Sequence, residues 1–180
     1  MPTRQRNEVL RRTSSRVLSW VTTVGFGLVA VGLIISLTYI PDGGPASGVA
    51  ASFFTIAFCR RLFGSRIVLG SSGVTVVNPL ITYQVPYTTI GEVRGGNGGT
   101  LNLVTRTGDE ICSTAFGGSI TDYVVGSTER AADRIEKRVK TRRTSTQQGL
   151  VEKKFTTSWI ADFCAVGGVV CVILAGALGI

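Results

Sequence analysis

The chain has 180 residues, of which 44% are hydrophobic and 17% are charged, and its formal net charge is +8. It contains no histidine, which removes the most frequent general base, the usual activator of a nucleophilic serine or cysteine, and the most frequent metal ligand. The four cysteines include no Cys-x-x-Cys pair, a usage typical of small buried side chains rather than of a disulfide or metal site. We therefore expect no enzyme activity, no metal and no cofactor.

Three apolar runs divide the sequence. The first (17–40) and the last (163–180) carry no charge and approach or exceed the length needed to cross a hydrocarbon core of about 30 Å as helices. The middle run is shorter and rich in small residues. The predicted organisation is a basic cytoplasmic tail (1–16), a transmembrane hairpin (17–59, with spans 17–40 and 46–59), a polar domain (60–143), a linker (144–157) and a C-terminal transmembrane helix (158–180).

Basic residues set the expected topology, because cations that flank membrane spans are retained on the cytoplasmic side. Arginines precede the first span, Arg60 and Arg61 follow the second run, and Lys153 and Lys154 precede the last span. This pattern predicts a cytoplasmic domain at the bacterial inner membrane. If 46–59 were re-entrant instead, the domain would lie outside. A cleaved signal peptide is less favoured, because the first run is longer than a signal core of about 7–15 residues.

The polar segment begins with short alternating runs that are separated by turn residues, a pattern typical of a small antiparallel barrel or sandwich. Glycine-rich turns occur at 70–73 and 95–99, and Asn97-Gly98 suits a tight hairpin. The predicted strands lie at 65–69, 74–78, 81–85, 90–94, 100–106 and 110–116.

From 128 to 143 the periodicity changes to that of a helix, with Ala131, Ala132, Ile135 and Val139 on one face. Three arginines at intervals of four residues form a stripe on a flank of this helix. They are the candidate contact for acidic lipid headgroups, against the alternative of a solvated charged face: Arg130, Arg134 and Arg138.

The strand segment resembles the bacterial PH (pleckstrin homology) domains, in particular the small actinobacterial membrane proteins of the low-molecular-weight protein antigen family. The resemblance rests on 73–78, 85–90, 101–103 and 107–109, and Tyr87 stands where a tryptophan is expected. It implies a PH-like antiparallel β-barrel or sandwich, capped by a C-terminal helix and placed after a membrane hairpin. The first hairpin, at 70–73, carries no cation to bind a phosphate, so phosphoinositide binding is not carried over.

Small residues recur at helical spacing in the apolar runs, which lets helices approach closely. Packing of the spans within one chain and homo-oligomerisation both explain this pattern. The candidate packing residues are Gly25, Gly32, Ala161, Cys164, Gly168, Cys171, Ala175 and Gly179. Asp162 lies near the start of the last span, and a proton or ion site there would need a partner that the sequence does not identify.

We expect a noncatalytic, membrane-anchored interaction or scaffold protein whose partners are the lipid bilayer and a protein or a second copy. The alternative is an accessory subunit of a transporter or envelope complex that binds through its spans. Nucleic-acid binding is not expected, because the positive charge lies largely beside the apolar runs and no recognition motif accompanies it.

Overall fold

A computed structural model describes residues 7–39, 42–95, 99–117, 126–142 and 149–179. The chain forms two compact units, which we call the sheet domain (residues up to Thr13, and Gly64–Thr156) and the helical unit (Ser14–Phe63 and Thr157–Ile180). The elements of the sheet domain are β1 (Glu8–Leu10), β2 (Arg66–Leu69), β3 (Gly73–Val77), β4 (Ile81–Pro86), β5 (Ile90–Arg94), β6 (Asn102–Thr105), β7 (Glu110–Cys112), a 3₁₀ turn (Thr114–Phe116), α3 (Ser127–Arg142) and β8 (Glu152–Phe155). Those of the helical unit are α1 (Thr13–Tyr39), α2 (Gly43–Phe63) and α4 (Trp159–Leu178).

Sheet A is antiparallel and has the strand order β1-β2-β3-β4-β8. The β2–β3 hairpin closes where the Gly70 amide donates to the Gly73 carbonyl at 2.9 Å. Gly73 is required there, because a Cβ would collide with the carbonyl oxygen of Val85 on the neighbouring strand. Turn residues and cross-strand approach thus fix the register of the central strands.

Sheet B has the order β5-β6-β7, and both sheets share one core with α3. The predicted apolar face of α3 is buried in that core. A closed barrel is not formed by the described residues, so that part of the predicted fold is wrong. The reason is that β8 occupies the second edge of β4, and β5 therefore begins a separate, open sheet. The hairpin tip predicted around Asn97-Gly98 lies outside the described residues.

The helical unit contains three helices that are long and apolar enough to cross a membrane. The second, α2, has 21 residues and is longer than the predicted run 46–59. It begins before Pro45, which is tolerated in a first helical turn, and continues through Arg60 and Arg61. At about 1.5 Å per residue it reaches about 31 Å, the thickness of a hydrocarbon core.

Two segments that the sequence assigned to a tail and a linker contribute strands to sheet A. β1 comes from the expected tail and β8 from the expected linker. They form the two edges of the sheet. The sheet domain therefore extends beyond 60–143 at both ends.

Candidate interaction surfaces

The arginine stripe of α3 contacts the N-terminal strand. Arg134 Nη1 lies 3.0 Å from Glu8 Oε1, and Arg138 Nη2 lies 3.4 Å from Glu8 Oε2. Arg130 donates through Nε to the Gly126 carbonyl at 3.2 Å. Two of the three predicted lipid-contact arginines thus share one carboxylate, which lowers the net positive charge of the stripe and gives it a role in holding β1.

A second contact holds the other end of β1. Arg12 Nη2 lies 3.4 Å from Thr128 Oγ1 and 3.5 Å from the Gly117 carbonyl, and its guanidinium stands 5.8 Å from the centroid of the Phe116 ring. Glu8 at the start of β1 therefore contacts α3, and Arg12 just after β1 contacts α3 and the 3₁₀ turn that precedes it in the chain. The sequence indicated Arg12 only as a topology signal, because its partners lie more than one hundred positions away.

All three connections to apolar helices leave sheet A at the same end. The register pairs Leu10 with Ile67, Arg66 with Val77, Val77 with Thr82, and Ile81 with Phe155. Two residues separate β1 from α1, two separate α2 from β2, and three separate β8 from α4. We call this the tethered end and the opposite one the hairpin end.

The tethered end exposes large apolar side chains. Leu80, Ile81 and Phe155 are 57%, 40% and 70% exposed, respectively. They lie in the β3–β4 turn, at the start of β4 and at the end of β8, and Phe155 is the register partner of Ile81. Sequence reasoning missed this patch, because its members are 74 positions apart and meet only through the pairing of β8 with β4.

Hydrogen bonds connect this end of the domain to neighbouring elements. The side-chain amide of Asn78 donates to the Cys112 carbonyl at 2.8 Å and accepts from the backbone amide of Thr114 at 3.0 Å. These bonds connect the β3–β4 turn to β7 of sheet B and to the 3₁₀ turn that follows it. The Thr156 amide donates to the Leu80 carbonyl at 2.9 Å. The backbone at Leu80 is thus hydrogen-bonded to the residue that follows Phe155.

The hairpin end has a polar cleft of about 380 Å³. Its lining includes Asn7, Ser71, Thr75, Gln84, Leu150 and Glu152. Beside it, the buried Tyr87 donates its hydroxyl to the Gly70 carbonyl at 3.0 Å. The ring is buried, and the hydroxyl binds the hairpin backbone.

The predicted helix-packing residues separate into two groups. Ala161, Cys164 and Gly168 are buried, and a Cβ on Gly168 would lie 3.1 Å from the Phe54 ring of α2. Gly25 and Gly32 of α1 are exposed and have open space where a Cβ would be. Cys171 and Ala175 are half-buried, whereas Gly179 is exposed and ends α4 in the left-handed conformation. The small stripe of α4 therefore packs within the chain, and the glycines of α1 do not.

Asp162 has a partner in the helical unit. Its Oδ1 lies 2.5 Å from Arg61 Nη2, and its Oδ2 accepts from the Ser158 amide at 3.2 Å. The carboxylate thus satisfies an amide at the start of α4 and joins α4 to the end of α2. The ion pair with Arg61 gives the charged Asp162 a structural role in an otherwise apolar helix.

Groups of three or more His, Cys, Asp or Glu side chains that could hold a metal are not found among the described residues, and the cysteines are free thiols. Comparison with protein-family models, with curated proteins and with solved structures gives no match.

Proposed function

We propose that the chain is a noncatalytic, membrane-anchored interaction protein with a PH-like domain at the cytoplasmic surface of the bacterial inner membrane. The observation that carries this proposal is the attachment of three apolar helices to one end of sheet A through connections of two or three residues. Anchored in this way, the domain presents its hairpin end away from the attachment points.

Pairing of β1 with β2 constrains how the chain crosses a membrane. β1 precedes α1, β2 follows α2, and the two strands share one sheet, so they lie on the same side. The number of crossings between Leu10 and Arg66 is therefore even. A crossing by the 27-residue α1 requires a return crossing by α2, which supports the hairpin and disfavours a re-entrant second run.

The hairpin end is the surface proposed to bind a protein partner. Its cleft is formed by the β2–β3 turn, the end of β4 and the segment that enters β8. The polar side chains in the lining are uncharged, apart from the acidic Glu152. This chemistry fits a polar peptide segment better than an anionic phosphate.

Site-specific photo-crosslinking in intact cells tests the proposal. A photoreactive residue at Ser71 probes the hairpin end, and one at Arg106, in the exposed β6–β7 turn, is the matched control. We expect a discrete protein adduct at Ser71 that is lost when Gln84 is replaced by a bulky side chain. Absence of an adduct at Ser71, with adducts only from span positions such as Val169, would contradict it.

An accessory subunit that binds through its spans is the alternative, and one observation favours it. Only 6% of the most apolar window of α1 is buried, and Ser19 and Ala30 are the buried residues of that helix. Most of the apolar surface of α1 is therefore left uncovered by the residues that the structure describes. Photo-crosslinkers at Leu28 and Val24 would yield a defined protein adduct if this surface binds a partner helix, and lipid adducts alone if it does not.

A further inference from the structure

We infer that the tethered end of sheet A is a membrane-contact surface, in which Leu80, Ile81 and Phe155 enter the interfacial layer of the bilayer. This inference rests on the anchoring in the proposed function. It assigns lipid contact to the turn and edge strand of the sheet rather than to the arginine stripe of α3. The occupant is the lipid surface itself, and a second copy of the chain is the competing occupant.

Reach is the first argument. The connection from Phe155 to Trp159 spans four Cα steps, and the connections from Leu10 to Thr13 and from Phe63 to Arg66 span three. At about 3.3–3.6 Å per step, the strand ends lie within about 10–14 Å of the helix ends. The headgroup layer on each side of the hydrocarbon core is about 5–8 Å thick. Three short tethers thus keep one end of the sheet within reach of that layer.

Side-chain chemistry is the second argument. Three large apolar side chains are exposed at this end, in the β3–β4 turn, at the start of β4 and at the end of β8, and two of them are register partners. Contiguous exposed apolar groups mark an interaction surface more often than scattered ones do. Hydrogen bonds from Asn78 and Thr156 hold the turn that carries Leu80, so the backbone loses little conformational entropy when that side chain enters lipid.

Charge is the third argument, and it selects lipid over a second copy. Arg66 begins β2 beside this end, and Lys153 and Lys154 precede Phe155 on β8. Lys153 stands 5.8 Å from the centroid of the Tyr83 ring, and Lys154 pairs with Glu152 at 3.0 Å. Cations beside an apolar tip suit acidic headgroups, whereas two copies facing each other through this end would bring like charges together.

The arginine stripe is less suited to this role. Arg134 and Arg138 pair with Glu8, whose register partner is Leu69, at the hairpin end of β1. Their pairing residue therefore lies at the end of the sheet opposite the tethers. Contact of these two arginines with lipid would compete with the contacts that hold β1.

Depth-dependent fluorescence quenching of the full chain tests the inference. Single cysteines replace Leu80, Ser71 or Val169 in a background without the native cysteines, carry an environment-sensitive dye, and are reconstituted in phosphatidylglycerol–phosphatidylethanolamine vesicles. The probe at Val169 reports anchoring and is read with lipid labelled deep in its acyl chains. The one at Leu80 reports the tethered end, and the one at Ser71 is the matched control at the hairpin end. We expect blue-shifted emission at Leu80, quenched by headgroup-labelled lipid, and no quenching at Ser71.

Each alternative outcome of the quenching experiment contradicts a different part of the proposal. Quenching at Val169 without quenching at Leu80 overturns this inference and leaves the anchoring intact. No quenching at Val169 overturns the proposed function together with it. Equal quenching at Leu80 and Ser71 overturns the assignment to one end, because the domain would then lie flat on the lipid.

A second measurement keeps the native cysteines, in case their removal prevents folding. A photoreactive residue replaces Leu80 in the otherwise unchanged chain, the same vesicles are irradiated, and the adducts are identified by mass spectrometry. Lipid adducts are expected. Chain-to-chain adducts without lipid adducts would assign the patch to a second copy and overturn the inference.

Discussion

Ile67, Leu69 and Leu103 of the sheet domain have no exposed side-chain surface, whereas Leu28, Val172 and Ile173 of the helical unit expose more than half of theirs. The side chains are chemically alike, so the difference lies in what surrounds them. Strands and α3 exclude water by packing on one another, and the helices instead direct apolar groups outward. An outward apolar surface of this kind suits lipid and would be unfavourable in water.

The largest effect is expected from the core of the sheet domain. Ile67→Ala removes packing that no neighbour can replace, and we expect a loss of about 2–5 kcal/mol in the free energy of unfolding. Chemical denaturation of the full chain in detergent, followed by amide exchange in sheet A, measures it. Leu150→Ala is the control, since Leu150 is exposed. Equal losses for both variants would contradict the assigned core.

An outward position of α4 tests the other side of the comparison. Val169→Arg places a charge near the middle of the helix, which costs about 2.5–3.5 kcal/mol in membrane insertion. We expect reduced labelling of a cysteine at Leu178 by an impermeant maleimide in intact cells, with Leu150→Arg as the harmless control. Unchanged labelling would show that Val169 does not face lipid.

Close packing of α4 on α2 gives a smaller effect. Gly168→Leu forces the Phe54 ring to move, and overpacking of this kind costs about 1–3 kcal/mol. Gly176→Leu is a matched control in the same helix, because a Cβ there meets nothing within 4 Å. Thermal unfolding in detergent should separate the two variants. A greater loss for Gly176→Leu would indicate that the exposed face of α4, rather than the α2 contact, is the packed one.

At the hairpin end, Tyr87→Phe keeps the buried ring and removes the hydrogen bond to the Gly70 carbonyl. We expect a loss of about 0.5–1.5 kcal/mol and faster amide exchange at Gly70 and Gly73. Tyr83→Phe is the control, because Tyr83 is only partly buried against the core. Unchanged exchange in the hairpin would argue against the hydrogen bond.

The smallest effect is expected at the N-terminal strand. Glu8→Gln removes the charge that Arg134 and Arg138 share, and exposed ion pairs contribute about 0.2–1 kcal/mol. Amide exchange at Val9 and Leu10 should accelerate, and the effect should shrink at high salt. Glu129→Gln, on the same helix as the arginines, is the control. Loss of global stability beyond that range would mean that Glu8 does more than hold β1.

Elements with an apolar face or turn residues could be predicted from the sequence, and the edge strands could not. Gly70–Gly73 predicts the β2–β3 hairpin, and the period of Ala131, Ile135 and Val139 predicts α3 to within one residue. β1 has three residues, and all four residues of β8 are exposed. Backbone hydrogen bonds hold these edges, and such bonds leave no hydrophobic periodicity in the sequence.

The candidate surfaces show the same limit. Gly168 could be assigned to helix packing from spacing alone, because small residues have that use in apolar helices. Gly25 and Gly32 have the same spacing but face open space, since packing also needs a neighbouring helix at the right height. The Arg61–Asp162 pair and the Leu80–Phe155 patch depend on contacts between residues distant in sequence, which composition and periodicity do not record.

The position of β1 before the first apolar helix has a consequence for biosynthesis. Its partner β2 begins 56 residues later, so at about 5–20 residues per second the ribosome needs roughly 3–11 s to supply it. During that interval both apolar helices must leave the ribosome. Meanwhile β1 remains unpaired, and a strand of three residues that contains a glutamate has little tendency to aggregate. Pairing of β1 with β2 therefore has to wait until α1 and α2 have been synthesised.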